Sequence, residues 1–201
     1  MTEKSDEKVQ VEGTIENEKV VISDYEGIED FYKNSYIGNL EKDGKGNDIL
    51  ILDAVEVLLL SERHRILLWD DNDKNKAQYD FEMLLEYFSQ YDERLWHNYI
   101  IYADLRKRGY IVRTGYGDGI EFRVYKRGAD YEQDSAKYLI FPVFEGDPIE
   151  LRDLDKMSRV AMSSRKELIV ATVDRQSKPI YYNVKKFQIM NEDINTDFDD
   201  R

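Results

Sequence analysis

The chain of 201 residues contains no cysteine and only two histidines. Without cysteine it can be neither a disulfide-stapled secreted scaffold nor a holder of zinc or an iron–sulfur cluster through thiolates. Long apolar runs are missing as well. Stretches such as Ile49–Leu52 and Val57–Leu60 fall far short of the ~20 residues that cross a bilayer, and the polar start Met1–Gln10 has no signal-peptide core. A soluble cytoplasmic protein with no membrane contact is expected. His64 and His97 are expected in a turn and a helix, each without a partner at metal-ligand spacing, so no metal and no cofactor are expected.

Basic residues are also scarce, 29 against 42 acids, for a net charge of −13. The acidity is segregated. Residues 1–90 carry 22 acids and 10 bases, residues 91–190 carry 15 and 18, and the tail 191–201 carries five acids and one base. The net charge argues against a generic nucleic-acid binder, while the second half tolerates a polyanion, though its small excess does not itself point to one. With 41% hydrophobic and 12% aromatic residues, the chain has enough apolar surface for a sizeable core.

The expected organisation is a mobile segment over 1–12, an N-terminal α+β domain over 13–90, a second α/β domain with a mixed sheet over 91–190, and the acidic tail 191–201. In the first domain, Val20–Ile22 reads as a strand, and Asp24 caps a helix carrying Ile28, Phe31 and Tyr32. Glu41–Asp48 reads as a loop. Leu50–Leu60 shows i, i+3, i+4 apolar spacing and is expected as one buried helix; Ile66–Trp69 follows as a strand, Asp70–Lys76 as a polar turn, and Phe81, Leu84, Leu85 and Phe88 as one helix face. In the second domain, Leu95, Tyr99, Tyr102 and Leu105 share a helix face that ends at Gly109 after three basic residues. Ile111–Val112 and Ile120–Tyr125 flank Gly115–Gly119, whose glycines fit a hairpin better than a phosphate cradle, because no Lys-Ser/Thr follows and no helix opens there. Lys137–Val143 reads as a strand, Leu151–Ala161 as a helix and Leu168–Val173 as a central strand. In a last, half-buried strand, Ile180, Tyr182 and Val184 alternate with Tyr181, Asn183 and Lys185.

Several stretches in one order resemble a known family. Tyr102-Ala-Asp104-Leu105-Arg106-Lys-Arg108-Gly109-Tyr-Ile-Val112-Arg-Thr114-Gly115, Phe122-Arg-Val-Tyr125, Lys137-Tyr-Leu-Ile140 and Ser158-Arg159-Val-Ala161-Met-Ser163-Ser-Arg165-Lys166-Glu-Leu168-Ile-Val-Ala171 resemble the archaeal tRNA-intron splicing endonucleases. Tyr36-Ile-Gly38 and Leu52-Asp-Ala54-Val-Glu56-Val-Leu58 agree in the front half.

The resemblance implies a nuclease-like fold in the second domain, assembly from four units, and cutting of pre-tRNA at a bulge-helix-bulge without metal, leaving a 2′,3′-cyclic phosphate and a 5′-hydroxyl. The family uses a Tyr, a His and a Lys. In register the Lys falls on Lys166, the Tyr on Asp118 and the His on Ser135. A carboxylate repels the phosphodiester, and an aliphatic hydroxyl is too weak an acid for the leaving oxygen. The resemblance therefore implies a structural subunit, paired two and two with a catalytic subunit on pre-tRNA. Tyr116 stands as a displaced phenol in the alternative that the chain itself cuts; a protein-interaction module without an RNA role is the other alternative. Arg159 matches an arginine that stacks on a bulge base. Asp174, Ile180, Tyr182 and Val184 are expected at a subunit interface. The family's acidic docking loop falls on Asp174–Lys178, with one acid and two bases here.

Overall fold

The computed structural model describes residues 10–69, 77–117, 119–144, 146 and 148–185. Two five-stranded mixed sheets organise the chain, with no helix among the described residues long and apolar enough to cross a membrane. The first sheet contains β1 (Val11–Glu16), β2 (Lys19–Ile22), β3 (Asn39–Lys42), β4 (Asp48–Asp53) and β5 (Ile66–Leu68), in the order β3-β4-β2-β1-β5. Only the β1–β5 pair is parallel. Helix α1 (Tyr25–Ile28), continued by a π-helical turn Glu29–Asn34, and helices α2 (Ala54–Glu62) and α3 (Phe81–Ser89) complete this half.

Three sequence expectations change here. Leu50–Leu60 is not one helix: Leu50–Asp53 belongs to β4, paired with β2 through Val20↔Leu52 and Ile22↔Leu50, and α2 begins only at Ala54. The junction is written in polar groups, since Asp53 and Glu56 form a reciprocal capping box, the Asp53 N–H donating to Glu56 Oε2 at 3.0 Å. Glu41–Asp48 is not all loop, because β3 and β4 form a hairpin around Asp43–Asn47. The segment expected as mobile over 1–12 overlaps β1, where Val11 is fully buried and pairs with Ile66; residues 1–9 lie outside the described residues, as do the turn 70–76 and the acidic tail.

Helix α4 (Leu95–Lys107) joins the halves. It packs on α2 and α3 and also on strands of the second sheet. That sheet runs β10-β9-β8-β7-β6, with β6 (Ile111–Gly117), β7 (Ile120–Tyr125), β8 (Tyr138–Phe144), β9 (Glu167–Val173) and β10 (Pro179–Val184), and with α5 (Leu151–Ser163) between β8 and β9. Only β8–β9 is parallel. Side chains alternate between the faces. Leu139 and Leu168 pack with Met157 and Ala161 of α5, whereas Ile140, Ile169, Ala171 and Val173 join the core around α4. The sheet is therefore covered on both faces.

The last strand, β10, is half-buried. Tyr181 packs inward, while Ile180 and Tyr182 are exposed at 41% and 53%. Val184 packs partly against the α5 cluster. Both faces of β10 carry apolar residues, so alternation marks a strand here without saying which face is inside.

Candidate functional site

The register of the second sheet fixes which loops meet. Val124 pairs with Tyr138, and Tyr138 pairs with Glu167, so the end of β7, the start of β8 and the α5–β9 turn share one end of the sheet. Tyr125 closes β7 there, and the loop 126–137 returns the chain to β8 with Lys137 N–H donating to the Val124 carbonyl at 2.9 Å. The loop is pinned by its own acids: Asp134 N–H donates to the Asp130 carbonyl at 2.7 Å, and Asp134 Oδ2 accepts from Asp130 N–H at 2.9 Å.

Between this loop and the α5–β9 turn lies an open cleft of about 540 Å³, lined by Lys126, Arg127, Asp134, Ser135, Lys137 and Arg165 among others. Four cations face one carboxylate, which suits an anion. Lys137 is held by Glu167, ammonium to carboxylate 3.1 Å, and Arg127 lies 5.2 Å over the Tyr110 ring. Arg165 reaches the cleft from an unusual backbone. Helix α5 ends in a Schellman motif, with Lys166 N–H on the Ala161 carbonyl at 2.8 Å and Arg165 N–H on the Met162 carbonyl at 3.0 Å. The left-handed residue of that motif is Arg165, at φ 55°, where glycine is usual; the strain is of order 1 kcal/mol.

The structure does not bring the expected residues together as a triad. Ser135 is exposed in the cleft. Lys166 is not among its lining: its ammonium donates to the Ser164 carbonyl at 3.2 Å, and the side chain borders a separate groove of about 220 Å³ beside Ser158, Met162, Asn183 and Val184. Asp118 lies outside the described residues, but its neighbours Gly117 and Gly119 stand at the β6–β7 tip. That tip is at the far end of β7 from the loop that carries Ser135, five steps of ~3.3 Å or roughly 17 Å from Ile120 to Tyr125. Gly117 and Gly119 therefore stand at the opposite end of β7 from that loop. Tyr116 is 54% exposed at the tip, with the Arg123 guanidinium 5.2 Å over its ring. The glycines of the tip are explained by the turn itself. A Cβ on Gly115 would sit 1.9 Å from the Ile120 carbonyl oxygen, and Gly117 and Gly119 adopt φ of 76° and 95°.

The tyrosine at the cleft's end of β7 is Tyr125. It is buried with Ile111 and Ala136, and burial pushes its phenol up. Its ring meets Tyr131 edge-on at 5.4 Å, and the Arg113 guanidinium lies 4.9 Å over Tyr131. Arg113, itself buried, donates to the Tyr36 carbonyl at 3.2 Å and to Asn39 Oδ1 at 2.6 Å, and faces Glu56 Oε1 at 3.9 Å. Glu56 is buried too, accepting from Gly38 N–H at 2.9 Å; burial first, then Asp53, raises its carboxyl above the usual range while Arg113 opposes. The first half thus reaches Tyr125 through Glu56, Arg113 and Tyr131. A charged residue inside each of two apolar stretches was the signal for that link.

Neither histidine is at the cleft. His97, on α4, meets Phe144 edge-on at 4.8 Å, and Phe144 lies at the opposite end of β8. His64 is the left-handed residue that ends α2, at φ 53°. Arg159 is exposed on α5 and pairs with Asp155 at 2.8 Å. Asp174 shapes the β9–β10 turn, its Oδ1 accepting from Gln176 and Lys178 N–H at 2.9 Å each. Among the described residues, no cluster of three or more His, Asp and Glu comes together as metal ligands.

The chain matches two family profiles in tandem: the tRNA intron endonuclease N-terminal domain over residues 11–82, and the tRNA intron endonuclease catalytic C-terminal domain over 95–182. It is 36% identical over 177 residues to a tRNA-splicing endonuclease of Methanococcus maripaludis, covering 88% of this chain and 94% of that one. It is 33% identical over 177 residues to a tRNA-splicing endonuclease of Methanothermobacter thermautotrophicus, covering 88% and 97%. A tRNA-splicing endonuclease of Thermococcus onnurineus is 32% identical over 158 residues, 79% of this chain and 85% of that one. With both profiles in order and relatives matched over nearly their whole length, this chain belongs to the tRNA intron endonuclease family.

Proposed function

We propose that this chain is the structural subunit of a tRNA-splicing endonuclease, paired with a catalytic subunit and acting on pre-tRNA at bulge-helix-bulge intron boundaries. Attack by a ribose 2′-hydroxyl, giving a 2′,3′-cyclic phosphate and a 5′-hydroxyl, needs a base, an acid and a cation for the charge on phosphorus. The observation that carries the reading is Ser135. Ser135 lines the cleft, the sequence resemblance puts it in register with the family's histidine, and neither His64 nor His97 is beside it. Loss of a general acid costs on the order of 100- to 10,000-fold.

In this reading Tyr125 carries the family's phenol, supported by its place at the end of β7 and by the motif Phe122–Tyr125. Its burial, and Lys166 bonded to Ser164, both favour a silent site. Arg159 contacts RNA in the assembled enzyme, and β10, through Ile180, Tyr182 and Val184, meets a neighbouring subunit.

The test is Ser135→His in the purified chain. If Ser135 is what silences the site, the variant cuts a bulge-helix-bulge RNA at least ~100-fold faster than wild type, and a second change, Tyr125→Phe, removes the gain. A variant as inactive as wild type would show that Ser135 is not the reason.

A further inference from the structure

The cationic cleft and the end of β10 lie at the same end of the second sheet. Val184 pairs with Leu168 on β9, and the neighbouring Glu167 pairs with Tyr138 on β8. The chain therefore leaves β10 through Lys185 beside the α5–β9 turn that presents Arg165, two strand spacings from Lys137. At ~4.8 Å per spacing that is about 10 Å.

Beyond Lys185 the sequence runs Lys186-Phe-Gln-Ile-Met-Asn-Glu192-Asp193-Ile-Asn-Thr-Asp197-Phe-Asp199-Asp200-Arg201, with five acids against two bases, and it lies outside the span matched by the family profile, which ends at 182. Glu192 is seven residues past Lys185 and Asp200 fifteen, so an extended chain carries the acids about 23 to 50 Å from the strand end. All of them can reach a cleft about 10 Å away, with slack for the loop back.

The charges complement one another. The cleft presents Lys126, Arg127 and Arg165 against Asp134, whose carboxylate already accepts from Asp130 N–H, while Lys137 is held by Glu167. The tail brings five carboxylates at the high effective concentration of a short tether. We propose that the acidic tail, residues 192–200, folds back onto the Lys126–Arg127–Arg165 cleft of its own chain and acts as an internal anion that RNA phosphate must displace. The docking itself rests on charge and reach; only its competition with RNA rests on the proposed function. Being made of exposed ion pairs, it is weak and salt-sensitive.

The test uses the full-length chain, labelled with ¹⁵N, against a variant with Glu192→Gln, Asp193→Asn, Asp197→Asn, Asp199→Asn and Asp200→Asn. At about 20 mM salt the variant shifts the amide resonances of Gly128, Ala129, Ser135 and Arg165, and raising wild type to about 0.5 M salt moves them the same way, since screening at that ionic strength reaches within a few Å. The shift is independent of protein concentration. Cleft amides that stay where they are would overturn the proposal, and so would a shift that vanishes on dilution, which would assign the tail to a second copy. In a second arm, neutralising the tail tightens binding of a bulge-helix-bulge RNA about tenfold at low salt. The double change Lys126→Glu with Arg127→Glu removes that difference. A difference that survives in this cleft variant would mean that the tail acts only through net charge, against the proposal. Because the resonance arm involves neither cutting nor a partner, its outcome is separate from that of the structural-subunit reading.

Discussion

The Tyr181 hydroxyl donates to Asp104 Oδ2 at 2.8 Å, tying β10 to α4 across 77 residues of sequence. Asp104 is also gripped by Arg108, with Nε at 2.7 Å and a second contact at 3.2 Å, and the Arg108 guanidinium lies 5.8 Å over the Tyr181 ring. Three groups therefore lock the inward face of the last strand to the helix that joins the two halves. Burial, then the bond to Asp104, raises the Tyr181 phenol above its usual range, so the bond is intact at neutral pH.

Tyr181→Phe keeps the ring and removes the bond. Asp104 retains Arg108, so the loss is that of one hydrogen bond to a charged acceptor, about 1 to 2 kcal/mol. Urea unfolding should show a lower midpoint at unchanged slope. An unchanged midpoint would mean that the Asp104–Arg108 pair alone holds the strand.

The buried Glu56 predicts a pH dependence with a definite sign. A carboxyl raised in the folded state binds its proton more tightly there than in the unfolded chain, so its contribution is fully present below the unfolded pKa and is lost as pH rises through the folded one. Glu56→Gln abolishes that dependence and leaves Gly38 N–H or Asp53 N–H facing an amide NH₂, a cost of about 1 to 3 kcal/mol. The stability gap between wild type and variant should be larger at pH 5 than at pH 8 in urea titrations. A gap that widens toward pH 8 would mean that the ionised form, held by Arg113 and the two backbone donors, dominates instead.

Local signals carried the helices and hairpins. Asp24 and Gly109 marked ends that the structure keeps, with Asp24 Oδ2 accepting from Gly27 N–H at 2.8 Å and Gly109 at φ 82°, and the glycines of Gly115–Gly119 favoured the hairpin that β6 and β7 form. What the sequence left hidden depends on non-local pairing. The start of β1, Val11–Gly13, pairs with β5, fifty-five residues on, while its end pairs with the adjacent β2; Leu50–Asp53 is a strand because β2 and β3 flank it, and the uninterrupted apolar run that continues into α2 gave no periodicity to separate them. The geometry around the cleft was hidden for a similar reason. Motif order along the chain says nothing about which end of β7 a residue occupies, and only the register separates the 117–119 tip from Ser135.

The exposed Tyr182 gives the cleaner probe of the proposed interface, since Val184 also packs against the α5 cluster. An unpaired edge strand with outward aromatic surface invites a partner strand. Tyr182→Glu should leave the circular dichroism spectrum intact and lower the assembly mass in light scattering. An unchanged mass would remove β10 from the interface, whereas Val184→Asp alone would confuse assembly with folding.

The most direct test of the structural-subunit account is a time course on intron-containing pre-tRNA with the purified chain alone, with a family subunit that has tyrosine, histidine and lysine at the positions of Tyr125, Ser135 and Lys166, and with the two mixed, each with and without chelator. The account predicts no cutting by this chain alone, cutting by the mixture, and no effect of chelator on RNA whose folding has been verified separately. Cutting by the isolated chain as fast as by the mixture would contradict it.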